Sequence, residues 1–139
     1  MSIPAIDFAH IRLTVTDINR SRAFYDAVFG FLVFAEVPAD ADAATREKLG
    51  FLYGGVIYQF GGGLLGLRPV APGTDSFTEN RVGLDHLSFS VARRADLDAA
   101  VKVLDEQGIA HGGVKDISDG AILEFRDPDN IALEVFAPA

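Results

Sequence analysis

Two segments of this chain, Phe8-Ala-His10-Ile-Arg-Leu-Thr-Val15 and Leu84-Asp-His86-Leu-Ser-Phe-Ser-Val91, match position for position, with His10 and His86 standing 76 residues apart. Both alternate: Ile11, Leu13 and Val15 fall on one face of a strand and His10, Arg12 and Thr14 on the other. Leu87, Phe89 and Val91 against His86, Ser88 and Ser90 repeat the arrangement. A strand that packs its apolar face under a helix turns the other face to water or into a lined cavity, and a histidine shared by both copies suits a cavity. The chain therefore reads as a duplicated module with one histidine per copy.

The stretch after each repeated strand supports the duplication. Thr16-Asp17 offers a helix cap, and Ala23, Phe24, Ala27 and Val28 recur at helical spacing before Gly30 stops the run. Strand-like runs follow at 31–37, 56–60 and 64–70, with Gly61-Gly62-Gly63 as the turn between the last two. The segment 38–50, charged around Ala43-Ala44, reads either as a short exposed helix or as a lid over a pocket. In the second half, Leu97, Ala100, Val101 and Leu104 mark a helix ending at Gly108. Strands are expected from Gly112, over 121–126 and over 131–136, the last two joined by Asp127-Pro128-Asp129-Asn130. The expected order is βαβββ twice, an α+β protein of eight strands and two main helices. We expect a single domain over 1–139, with module one at about 5–70, a linker at about 71–80 and module two at about 81–139.

Composition excludes several classes of partner. With 20 acidic against 12 basic residues the net charge is −8, which disfavours nucleic acid and anionic membranes. The absence of cysteine removes disulfides, zinc–thiolate centres and thiol nucleophiles. No stretch approaches a membrane span and the N-terminal residues lack a signal pattern, so a cytoplasmic protein is expected.

In the final strand Ile131, Leu133 and Val135 form the apolar stripe, leaving Ala132, Glu134 and Phe136 on the cavity side. A carboxylate among apolar neighbours needs a cation, either an arginine or a metal. Arg12, Arg68 and Arg126 are the arginine candidates. Two histidines and one carboxylate on cavity-facing strands make a divalent-metal site. The strand 121–126 places Ile122, Glu124 and Arg126 opposite its apolar face, which makes Glu124 a candidate general base. His111, between Gly108 and Gly112-Gly113, reads as part of an exposed loop.

At these residues the chain resembles the vicinal oxygen chelate superfamily, which includes glyoxalase I, methylmalonyl-CoA epimerase, fosfomycin-modifying thiol transferases, extradiol dioxygenases and bleomycin-binding proteins. The resemblance rests on His10, on His86, and on Phe125-Arg-Asp-Pro-Asp-Asn-Ile-Ala-Leu-Glu134, similar to an aromatic-x-Asp-Pro-x-Gly-x-x-x-Glu ending. It implies paired βαβββ modules whose curved mixed sheets enclose a metal and substrate cavity. It also implies a divalent ion (Fe, Mn, Zn or Ni) on His10, His86 and Glu134.

Three departures narrow the reading. Aligning the last strands of the modules sets Gly66 opposite Glu134, so a fourth protein ligand is missing unless Gln59 or a substrate oxygen substitutes. The tyrosine expected two residues before Arg126 in the extradiol and fosfomycin branches is Glu124. Asn130 replaces the glycine of the turn, as its tolerance of the left-handed conformation allows.

The function expected is a metal-dependent enzyme that chelates adjacent oxygens of a small molecule, with proton-transfer, lyase or isomerase chemistry through Glu124. Arg12, Gln59, Arg68, Arg126 and Phe136 are the candidate substrate contacts. The alternatives are an extradiol-type dioxygenase and a non-catalytic drug-binding protein of the bleomycin-resistance kind. Exposed sheet edges lead us to expect a homodimer.

Overall fold

The computed structural model describes residues 1–139 and divides into two compact units, Met1–Thr74 and Asp75–Ala139. In unit 1 the order is β1 (Ile11–Thr14), α1 (Ile18–Val28), β2 (Leu32–Ala35), α2 (Ala43–Lys48), a 3-10 turn (Gly50–Leu52), β3 (Val56–Phe60) and β4 (Gly63–Arg68). Unit 2 runs β5 (Leu87–Ser90), α3 (Arg94–Glu106), β6 (His111–Ile117), β7 (Gly120–Arg126) and β8 (Ala132–Pro138). The class is α+β, and each unit carries one open, mixed four-stranded sheet.

The two sheets have the same topology. Strand order is β1-β4-β3-β2 in one and β5-β8-β7-β6 in the other. In each the first strand pairs in parallel with the last, and the remaining pairs are antiparallel. A helix covers one face: α1 lies on β4, and α3 lies across β6, β7 and β8. Under α1 the core holds Leu13, Val15, Tyr25, Val56, Tyr58, Leu65 and Leu67, all buried. Beneath α3 it holds Leu87, Phe89, Leu97, Leu104, Leu123, Phe125, Leu133 and Val135. The apolar stripes read from the alternation are thus the helix-facing sides, and burying these side chains contributes about 1.5–3 kcal/mol each before the entropy cost of ordering them.

Local chemistry explains the boundaries. Asp17 caps α1, its Oδ1 accepting from the Arg20 amide at 3.0 Å, and Asp42 does the same for α2 with the Thr45 amide at 2.8 Å. The segment 38–50 is therefore an exposed short helix running into a 3-10 turn. Inside unit 1 the Tyr58 hydroxyl donates to Asp26 Oδ1 at 2.9 Å, and burial pushes the phenol well above its ordinary range. Aromatic stacking runs from Tyr25 through Phe29 and Phe31 to Phe60, with centroids 6.1, 4.9 and 4.7 Å apart in turn.

Two local expectations change. The first strand of each module is shorter than read, four residues in both cases, because His10 and His86 precede the ladder at its mouth. His111 is not in an exposed loop. It opens β6 and is held against the sheet by a bulge, where the register shifts between His111 and Val114. Gly113 takes φ 71° there, a left-handed conformation that glycine adopts without penalty.

Candidate metal and substrate site

The face of each sheet turned away from its helix carries the candidate site residues, and the strand register sets them out in rows. In unit 2, Ser88 on β5 pairs with Glu134 on β8, which pairs with Glu124 on β7. In unit 1, Arg12 on β1 pairs with Gly66 on β4, which pairs with Ile57 on β3. The two rows correspond strand by strand, so the acid of one module stands where the other has no side chain.

A cavity of about 400 Å³ lies over the unit 2 row, bounded by His86, His111, Glu124, Arg126 and Glu134. His86 stands at its rim. The ring Nδ1 lies 2.6 Å from Asp85 Oδ1, and Nε2 lies 3.9 Å from Glu134 Oε2. The hydrogen bond to Asp85 above all, joined by the negative charge of Glu134, raises the imidazole pKa. Glu134 is the more enclosed partner, with its side chain 15% exposed. Its Oε1 accepts from the Ser88 hydroxyl at 2.7 Å. The arginine partners considered for Glu134 are elsewhere, so its neighbours are a hydroxyl and an imidazole.

Arg126 forms a fork with Glu79, Nη1 to Oε2 at 3.0 Å and Nη2 to Oε1 at 2.7 Å, and also donates to the Asn130 carbonyl. That pairing holds the Glu79 carboxyl down at about 2. Arg12 donates to the Phe51 carbonyl at 2.6 Å. Arg68 lies over the Tyr53 ring, its guanidinium carbon 4.3 Å from the centroid. Glu124, exposed on β7, accepts from Lys115 Nζ at 3.1 Å. Facing Glu134 across the ladder, it completes a like-charge pair, an arrangement that costs energy unless a cation stands nearby.

The remaining candidates are placed as follows. Phe136 is half-buried in the next row, between Ser90 and Ile122. Gln59 is exposed on β3 and borders neither the His86 cavity nor the His10 cavity. His10 belongs to unit 1, where it borders an apolar cavity of about 250 Å³ with Ile11, Arg12, Ile57, Leu64 and Gly66. In neither unit do three histidine, aspartate or glutamate side chains gather into a ligand set by themselves.

His111 is the wall residue that the sequence reading missed. Its Nδ1 accepts from the Gly113 amide at 3.0 Å, which puts the proton of the neutral ring on Nε2, 2.9 Å from Asp105 Oδ1. Both nitrogens are thereby engaged. The signal was present in Gly112-Gly113, a pair suited to a bulge that turns the preceding side chain inward.

The donor chemistry of unit 2 suits a divalent cation. Asp85 fixes the imidazole through Nδ1, and Ser88 fixes the carboxylate through Oε1, which leaves Nε2 and Oε2 as the free faces of a nitrogen–oxygen pair. Carboxylate-backed histidine is the usual outer support of a metal ligand.

A repeated βαβββ unit, each copy forming one mixed four-stranded sheet with its first strand parallel to its last, defines the class of glyoxalase-like folds. Within it the chain belongs to the Glyoxalase/Bleomycin resistance protein/Dioxygenase superfamily, whose model matches residues 7–135. It is 30% identical to the uncharacterized protein YaeR of Escherichia coli K12 over 129 residues, covering 91% of this chain and 92% of YaeR. Among solved structures, the glyoxylase/bleomycin resistance protein/dioxygenase domain from Frankia sp. EAN1pec superposes with a TM-score of 0.76 at 31% identity, covering 97% of this chain and 93% of that one. A point mutant of the fosfomycin resistance protein FosX from Listeria monocytogenes, complexed with Mn(II) and 1S,2S-dihydroxypropylphosphonic acid, shares the fold. Its TM-score is 0.69 at 18% identity, covering 99% of this chain and 95% of that one. No helix of the present chain is long and apolar enough to cross a membrane.

Proposed function

We propose that the chain is a metal-dependent enzyme acting on an oxygen-rich small molecule, with His86 and Glu134 of unit 2 as ligands of a divalent ion. The single observation that carries the reading is the His86–Glu134 pair at 3.9 Å, each partner fixed on its far side and free on the side facing the cavity. The Mn(II) in the FosX mutant complex, a protein of the same fold, supports a divalent ion as the class of cofactor. When bound, such an ion supplies a Lewis acid with positions left open for two adjacent oxygens of the substrate.

The protein's own residues do the rest. Ser88 and Asp85 orient Glu134 and His86, which lowers the ordering cost of the binding step. Glu124, across the ladder from Glu134, takes a proton from the bound molecule and returns it, with Lys115 steadying the carboxylate between turnovers. Isomerase or lyase chemistry follows from that role. Arg126, clamped by Glu79, bounds the cavity at the far end of β7. The same reading includes a homodimer, supported by the edge strand β2 with Leu32 and Phe34 exposed, and a cytoplasmic location.

Elemental analysis of protein purified without chelators tests the proposal. A stoichiometric divalent ion is expected in the parent chain, and its loss in His86→Ala and Glu134→Gln. A chain that carries no ion and takes none up on dialysis against Mn(II), Fe(II), Zn(II) or Ni(II) would leave ligand sequestration without catalysis as the better reading.

A further inference from the structure

We propose that the cavity of unit 1 is a binding subsite for a small apolar carboxylate, gripped at its charged end by Arg12. The argument begins at Gly66, in the row where the matching position of unit 2 carries Glu134. A Cβ built on Gly66 would stand 2.9 Å from Arg12 Cγ and 3.5 Å from both Cβ and Cδ. The stem of Arg12 therefore lies flat across the glycine, in space that any side chain at 66 would claim. Only the bare backbone there lets the guanidinium take this course.

The head of Arg12 is then fixed from the far side. One Nη2 hydrogen goes to the Phe51 carbonyl at 2.6 Å, at the 3-10 turn before β3. A carbonyl takes up a hydrogen bond but not the charge. Arg22, Arg94 and Arg126 each face a carboxylate, at Glu36, Asp116 and Glu79, whereas no carboxylate pairs with Arg12 in a chain of 20 acids. The guanidinium keeps its remaining donors, in the planar fork that matches a carboxylate.

What surrounds it sets the rest of the ligand. Ile11, Ile57, Leu64 and Phe51 line the same cavity, which holds about 250 Å³. That is below the roughly 300–1,000 Å³ of sites for drug-sized molecules, so the occupant is one ring or a short chain. Ile57 stands in the place that Glu124 takes in unit 2, so the row that is acidic in one module is apolar and cationic in the other. One anionic end with a compact apolar body meets both requirements. This assignment rests on the proposed function only in making the ligand a part of the substrate; the binding itself asks for no metal.

Calorimetric titration of metal-stripped protein with benzoate, benzamide and inorganic phosphate tests it. Benzoate is expected to bind at least about tenfold more tightly than benzamide, which lacks the charge, and than phosphate, which lacks the apolar body. Arg12→Met should abolish that preference, and Gly66→Ala should reduce it severalfold by lifting the Arg12 stem, with unchanged far-ultraviolet circular dichroism in both. Glu134→Gln, stripped in the same way, should leave it intact, although as purified this variant no longer carries the ion. Equal binding of benzoate and benzamide, or a benzoate preference that survives in Arg12→Met, overturns the subsite. A benzoate preference that vanishes in Glu134→Gln also overturns it and leaves the metal reading standing; a preference retained in a chain that binds no ion upholds the subsite alone.

Discussion

Gly66 and Glu134 hold the same place in the two sheets: each sits on the last strand of its module, paired in parallel with the first strand and antiparallel with the third. One module thus places a carboxylate where its twin leaves bare backbone. The twin fills the gap with Arg12, so a duplicated frame yields one acidic face and one cationic, apolar face. The difference lies in side chains alone, because topology and register are shared.

Outer support of the ligands is expected to govern metal affinity. Asp85→Asn weakens the hold on His86 Nδ1, and Ser88→Ala frees Glu134 Oε1. Each should lower the affinity for a divalent ion by about 10- to 100-fold without altering the fold. Competition against a chromophoric chelator measures it, and unchanged affinity in both variants would remove the outer-support role.

The clamp between Glu79 and Arg126 carries a pH signature. Because the folded-state carboxyl is held down at about 2 from an ordinary 4.5, the pair contributes fully above about pH 4.5 and is lost as the pH falls through 2. Arg126→Met should return Glu79 to the ordinary carboxylate range. A side-chain NMR titration reads the shift directly, and a Glu79 that titrates the same way in both proteins would contradict it.

Burial beneath α3 makes a contrast between neighbouring strands. Leu123 is fully buried, whereas Ile117, at the end of β6, is 43% exposed. Leu123→Ala should destabilise the chain by about 2–5 kcal/mol and Ile117→Ala by less than about 1 kcal/mol. Urea midpoints compare them.

The turn before β8 tests the substitution of asparagine for glycine. Asn130 takes φ 67° and donates from Nδ2 to the Phe77 carbonyl at 3.0 Å, beside amides of Asp129 and Ile131 that bond to Asp127 Oδ1. Asn130→Gly loses the side-chain bond alone; Asn130→Ala also incurs the left-handed penalty of about 1–2 kcal/mol. Thermal unfolding should rank alanine below glycine, and the reverse order would show that the turn relaxes out of the left-handed region.

Much of the fold is legible in the chain's own periodicity. The alternation through Leu13 and Val15, and through Leu133 and Val135, named the buried faces because a strand sends successive side chains to opposite sides, whatever lies far away in the chain. Asp17 announced α1 for the same local reason. The partners of the polar residues were less legible. Three arginines competed on paper for Glu134, yet Arg126 turns to Glu79, Arg68 to the Tyr53 ring and Arg12 to the Phe51 carbonyl. His111 read as loop because its hydrogen bonds to Asp105 and Gly113 depend on a bulge that spacing alone does not disclose.

Short-range periodicity and capping are enough to dictate the duplicated βαβββ order, the buried stripe of each strand and the identity of the candidate donors. Which row each donor joins, that Ser88 and His86 flank Glu134, and that Arg12 lies over Gly66 emerge once the sheets assemble. Those relations arise from pairing between strands that are more than 40 residues apart in the chain, as Ser88 and Glu134 are, where register rather than propensity selects the neighbour.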